Sequence, residues 1–110
     1  MLPKRKRLTT KEVAAVLSRG RSLHSSRSPV LLSAKYVAVQ GPFKIAVVVS
    51  KSLAKKATVR NSLRRAVYEA IATIPLPSSG THMLFFVRSI PQKPRAPAFR
   101  EEIAVLLKKL

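Results

Sequence analysis

The chain has 110 residues, and its 22 Lys and Arg against four acids give a formal net charge of +18. That length fits a single domain, residues 1–110, burying roughly 65% of its unfolded surface, and the 46% hydrophobic content separates it from charged disordered chains. The absence of cysteine excludes disulfides, thiolate metal sites and a cysteine nucleophile. The apolar runs at 45–49 and 83–87 are too short to span a membrane, and no apolar signal core follows Arg7, so a cytoplasmic protein with no membrane partner is expected.

Residues 1–7 read as a basic tail, with four consecutive cations from Lys4 to Arg7. A first helix is predicted from Thr9. Thr9 and Glu12 have capping-box spacing, Leu8 and Val13 form a hydrophobic staple, and Val13, Val16 and Leu17 form a buried stripe. Gly20 supplies the stop, with Arg19 complementing the helix dipole. Residues 21–49 read as β structure: a short strand at 22–26, a second starting at Pro29 and covering 30–39, and a turn at Gly41-Pro42. The nearly continuous apolar run at 43–49 then predicts a central strand buried on both faces.

A second helix is predicted over about 52–74, opening on an irregular turn and ended by Pro75 and Pro77. Ser78, Ser79 and Gly80 read as loop, 83–88 as a further buried strand, and Pro91, Pro94 and Pro97 as a linker whose last proline lies in the first turn of a final helix. Phe99, Ile103, Leu106, Leu107 and Leu110 line the core side of that helix. The fold class is therefore α+β, an α-β sandwich of order α-β-β-β-α-β-α. It has one four-stranded sheet, and the middle β-α-β is long enough to join parallel strands.

Charge is the most unusual property. No acid occurs between Val13 and Tyr68, while eleven cations do. Like charges packed into one small domain oppose the compact state, and a polyanionic partner is the simplest reason to keep them. At ~100° per residue, Val59, Leu63, Ala66, Val67, Ala70, Ile71 and Ile74 fall on one side of the second helix, and Arg60, Asn61, Arg64, Arg65 and Tyr68 on the other. Guanidinium forks match phosphate oxygens, and an asparagine bonds a 2′-hydroxyl or a base edge. Ser50 and Lys51 stand where the preceding strand ends, with Lys55 and Lys56 in the connection or first turn, an arrangement of amides and lysines that suits phosphate. A plain solvated face is the ordinary alternative. Such a face mixes both signs, however, and this one has no acid before Glu69, which is placed to pair with Arg65.

The segment 49–71, VSKSLAKKATVRNSLRRAVYEAI, resembles the hallmark segment of the bacterial ribonuclease P protein component. Val49, Ser50 and Lys51 match the family's strand end, and Arg60, Asn61, Leu63, Arg64 and Arg65 match its Arg-Asn-Arg-hydrophobic-Lys-Arg helix. The opening residues, the element order and the length are similar too. The chain departs from the pattern at Ser62, where the family has the second arginine, at Tyr68, where a basic residue is common, and at Ser52, where it has a lysine. Val13 and Leu17 stand where phenylalanines are frequent.

The resemblance implies a left-handed β-α-β crossover, although right-handed crossovers prevail in about 98% of cases. It further implies a ribonucleoprotein subunit that binds ribonuclease P RNA and the 5′ leader of precursor tRNA during tRNA 5′ maturation. Hydrolysis is then expected from the RNA subunit, with Mg²⁺ bound mainly through that RNA and no catalytic residue on the protein. The expected RNA-binding residues are Ser50, Lys51, Lys55, Lys56, Arg60, Asn61, Arg64, Arg65 and Tyr68. The expected leader cleft is lined by Val13, Leu17 and Tyr36. His24 and His82 lack metal-ligand spacing, there is no aspartate for a two-metal site, and no obligate protein partner is evident. A small ribosomal protein is the alternative. A DNA-binding module is disfavoured because a strand, rather than a helix-turn, precedes the basic helix.

Overall fold

The computed structural model describes residues 7–24, 30–75, 79–92 and 94–109. In chain order the elements are α1 (Thr10–Arg19), β1 (Arg21–His24), β2 (Leu32–Pro42), β3 (Lys44–Val48), α2 (Ala57–Ala72), β4 (Ser79–Val87) and α3 (Arg95–Lys108). The strands form one sheet in the order β1-β2-β4-β3. β1 and β4 run antiparallel to β2, and β3 runs parallel to β4. The connection between these adjacent parallel strands contains α2, as a crossover must.

Strand alternation divides the sheet into two faces. Leu32 and Ala34 of β2, Ile45 and Val47 of β3, and Met83, Phe85 and Val87 of β4 point into a single core with Leu63, Val67 and Ile71 of α2 and Phe99, Ile103 and Leu106 of α3. The opposite face carries Lys35, Leu84 and Ala46 in register across the sheet, and α1 crosses this face. The Nζ of Lys35 donates to the Leu17 carbonyl at 3.3 Å.

The structure differs from the expected elements at several points. Residues 43–49 do not form a central strand: β3 is an edge strand whose burial alternates, and β2 and β4 occupy the centre. Arg7 forms a parallel bridge to Ile45, and the Leu8 amide donates to the Ile45 carbonyl at 3.0 Å, which covers the exposed edge. The α1 stripe is also narrower than its periodicity suggests. Val16 is fully buried, Val13 is half-buried, and Leu17 remains 46% exposed. In addition, β4 begins earlier than expected, at Ser79, with Gly80 at φ 97°. Gly41-Pro42 ends β2 beyond a register shift. Leu110, Pro29, Ser25, Ser26, Pro77 and Ser78 lie outside the described residues.

Gly20 does end α1, but not through a left-handed cap, since its φ is −72°. The need for glycine is a close approach. A Cβ there would stand 2.3 Å from the Val16 carbonyl oxygen and 3.2 Å from that of Tyr36. Backbone would have to shift at the joint between α1 and β1, so Gly20→Ala is expected to cost about 1–3 kcal/mol in denaturant unfolding. A variant as stable as wild type would contradict this contact.

Candidate nucleic-acid interface

The chain leaves β3 through a tight turn before α2 begins. The Leu53 amide donates to Ser50 Oγ at 3.3 Å, the Ala54 amide donates to the Ser50 carbonyl at 3.2 Å, and Ser50 Oγ and Ser52 Oγ are 3.0 Å apart. Ser50 thus shapes the turn that presents Lys51, which is exposed, as are Lys55 and Lys56. α2 starts at Ala57 with Lys56 as its N-cap and no side-chain cap bond.

Arg60 holds this entry segment. Its Nη1 donates to the Ala54 carbonyl at 2.9 Å and to the Lys55 carbonyl at 2.8 Å. Part of the fork assigned to phosphate by its helical position is therefore spent on the loop, and Arg60 positions the two lysines. One turn on, Arg64 Nη1 donates to Asn61 Oδ1 at 2.6 Å, which orients both side chains on the outer side of α2. Arg65 is exposed. No ion pair joins it to Glu69 among the described residues, so the expected i,i+4 pairing does not form. Tyr68 is half-buried and packs against the core. Burial pushes its phenol up, opposed by the Val47 backbone and by the charges of Arg7 and Arg64. Arg7, Leu8, Thr9 and Ala46 line a hollow with Tyr68, so the start of the described chain lies beside the basic face of α2.

The residues expected to form a leader cleft do not all come together. Val13 and Leu17 belong to α1, over the sheet face that carries Lys35. Tyr36 has the parity of Leu32 and Ala34 and packs against the core on the opposite face. The aromatic residue on the α1 side is Phe86, which pairs in register with Ser33 and Val48. Arg88 donates through Nε to Ser33 Oγ at 2.7 Å and places its guanidinium carbon 5.1 Å from the Phe86 ring centroid. Counting strand parity from Leu32 would have excluded Tyr36 from this face at the outset.

Glu12 and Glu102 have structural partners. In α1 the Thr9 amide donates to Glu12 Oε1 at 2.8 Å and the Glu12 amide to Thr9 Oγ1 at 3.3 Å, closing the predicted capping box. Lys44 Nζ lies 3.1 Å from Glu12 Oε2, and His82 Nε2 lies 3.5 Å from it, tying α1 to β3 and β4. The Thr9 amide holds the Glu12 carboxyl below the usual range, opposed by partial burial and helped by Lys44 and the Thr9 hydroxyl. A depressed folded-state pKa stabilises the fold above the unfolded value, ~4.3, and that contribution is lost as pH falls through the folded value. Thermal melts from pH 7 to pH 3 should show wild type above Glu12→Gln at neutral pH, with the two converging in acid. A constant gap would contradict the linkage.

Glu102 was missed as a structural residue. It is fully buried, and its Oε2 accepts the Leu31 and Leu32 amides at 2.8 Å each. Among the described residues no group of three or more His, Cys, Asp or Glu side chains is arranged to hold a metal ion. No helix is long and apolar enough to cross a membrane among them.

No curated protein sequence matches this chain. Solved structures do match its fold. A mutant of the Staphylococcus aureus RNase P protein with defective mRNA degradation activity aligns at a TM-score of 0.74 and 16% identity, over 94% of this chain and 86% of that one. A second Staphylococcus aureus RNase P protein structure aligns at 0.71 and 16%, over 96% and 95%. The RNase P protein from Thermotoga maritima aligns at 0.66 and 23%, over 96% and 98%. At these identities the likeness establishes the α+β fold, and the ribosomal-protein alternative gains no support. The Ribonuclease P family model matches residues 2–110, so the chain belongs to that family, as the protein subunit of a tRNA-processing ribonuclease that has RNA as its partner.

Proposed function

We propose that the outer side of α2 and the turn before it dock on the RNA subunit of ribonuclease P, and that this RNA carries out the hydrolysis. The observation that carries the reading is a cationic surface with no acid before Glu69. Lys51, Lys55, Lys56 and Arg65 are exposed around a helix whose inner side is locked to the sheet by Leu63, Val67 and Ile71. Arg60 and the Arg64–Asn61 pair fix the geometry of that surface before RNA arrives, which lowers the ordering cost of binding. In this reading Mg²⁺ is held mainly by the RNA. Glu12 is engaged by Lys44, Glu102 by two backbone amides, and among the described residues no group of three or more His, Cys, Asp or Glu is placed to hold a metal ion.

The 5′ leader of precursor tRNA is assigned to the sheet face beside α1. Leu17 and Val13 supply apolar surface there, and Lys35 supplies charge, although its amine also bonds the Leu17 carbonyl. Phe86 is the ring on that face for a base to stack against, an interaction that contributes ~1–3 kcal/mol per base. Tyr36 takes no part, because it belongs to the other face.

The test is binding to a bacterial ribonuclease P RNA across a salt series. If about six phosphates are neutralised, log affinity falls with log salt at a slope of roughly −4 to −5. A nearly flat response contradicts docking through the cationic surface.

A further inference from the structure

Between α2 and the start of α3 lies an open groove of about 850 Å³, lined by Asn61, Ser62, Arg65, Glu69 and Arg95 among others. Arg95 is the first residue of α3, half-buried, and donates through Nη1 to Ser62 Oγ at 3.1 Å. Its Nε is buried and has no hydrogen-bond partner. A buried donor on a cation is costly to leave unpaired, and such groups in folded proteins call for an explanation. The groove's one carboxylate, Glu69, forms no ion pair with Arg95 or Arg65 among the described residues. Two guanidinium groups from different helices therefore face one groove without an ion-pair partner among the described residues.

We propose that this groove is a phosphate subsite for the RNA subunit, clamped between Arg65 of α2 and Arg95 of α3. Ser62 is exposed on the outer side of α2, and the guanidinium bonded to its hydroxyl comes from another helix. Arg95 thus adds a positive charge to the outer side of α2, in the same groove as Arg65. The fork retains donors beyond the Nη1 bond, and planar forks suit phosphate oxygens. A neighbouring protein is a poorer occupant, since the groove offers two cations and its apolar lining comes from the small residues Ala66, Pro94 and Ala96, with no deep pocket for a large anchor.

This inference rests on the RNA-docking reading, and the experiment separates the two. Wild type, Arg95→Gln, Arg95→Gln with Ser62→Arg, and Glu69→Gln are titrated with a bacterial ribonuclease P RNA from 50 to 200 mM salt, with melts recorded in parallel. Losing one phosphate contact makes the salt slope of Arg95→Gln shallower by about 0.7–0.9 and weakens binding by about tenfold. Ser62→Arg in that background restores both, because it relocates the charge to the same groove. Glu69→Gln, which leaves both arginines in place, tightens binding. The subsite is overturned if wild type shows its steep slope while Arg95→Gln matches it in slope and affinity, or if Arg95→Gln changes only the melting temperature. A wild type without salt-dependent binding overturns the docking reading itself.

Discussion

Replacing Lys55, Lys56 and Arg65 together by alanine is expected to lower affinity for ribonuclease P RNA by roughly 10²–10³-fold and to flatten the salt slope from roughly −4 or −5 to about −2. The three side chains are exposed, and none makes a side-chain hydrogen bond or ion pair among the described residues. Folding should barely register their loss, since such surface substitutions typically change stability by less than ~0.5 kcal/mol each. The effect on binding is large because each cation releases a condensed counterion from the RNA. Arg60 is deliberately absent from the set. Alanine there would free the Ala54 and Lys55 carbonyls and mix a loop effect with a charge effect. If the triple variant binds with wild-type affinity and slope, RNA docks elsewhere.

The second large effect falls on stability. Glu102→Ala is expected to cost about 3–5 kcal/mol, because it strands the Leu31 and Leu32 amides, one of them fully buried, and opens a cavity beneath α3. In a domain of this size that corresponds to a drop in melting temperature of more than about 10 °C. Glu102→Gln keeps an oxygen that accepts both amides and loses only the charge-assisted part, so it should recover more than half of the loss. Equal melting of wild type and Glu102→Ala would contradict the role assigned to this carboxylate.

Glu102 also shows how the sequence carries more than its pattern declares. Phe99, Glu102, Ile103 and Leu106 share one helical face, and all four are buried. An acid inside an apolar stripe is a legible signal of a buried acceptor, but its partners lie about seventy residues away at the start of β2 and no local rule names them. The element order and the capping box at Thr9 follow from local chemistry, and so does the division of α2 into Leu63–Val67–Ile71 and Asn61–Arg65 sides. All of these appear in the structure.

What local chemistry does not determine is pairing. A run of apolar residues at 43–49 is compatible with a central or an edge strand. The difference lies in whether β4 or β3 is inserted next to β2, a long-range choice. The exposure of Leu17 has the same origin. The α1 periodicity is sound, yet how much of its stripe meets the sheet depends on where α1 crosses it, and of Val13, Val16 and Leu17 it is Val16 that is fully covered. Within the interface, helical phase places Arg60 beside Arg64 correctly. Only the fold of the preceding turn shows that Arg60 donates to that turn's own carbonyls. Arg95 stands thirty-three residues from Ser62, and their meeting depends on how α3 packs on α2.

The most direct measurement of the central claim is reconstitution. The protein is added to a bacterial ribonuclease P RNA at low Mg²⁺, and cleavage of the 5′ leader from precursor tRNA is followed in single turnover. The account predicts a clear stimulation by wild type that falls sharply for the Lys55, Lys56 and Arg65 triple alanine variant and is unaffected by Tyr36→Phe. No stimulation by wild type with a cognate RNA, or equal stimulation by the triple variant, would contradict it.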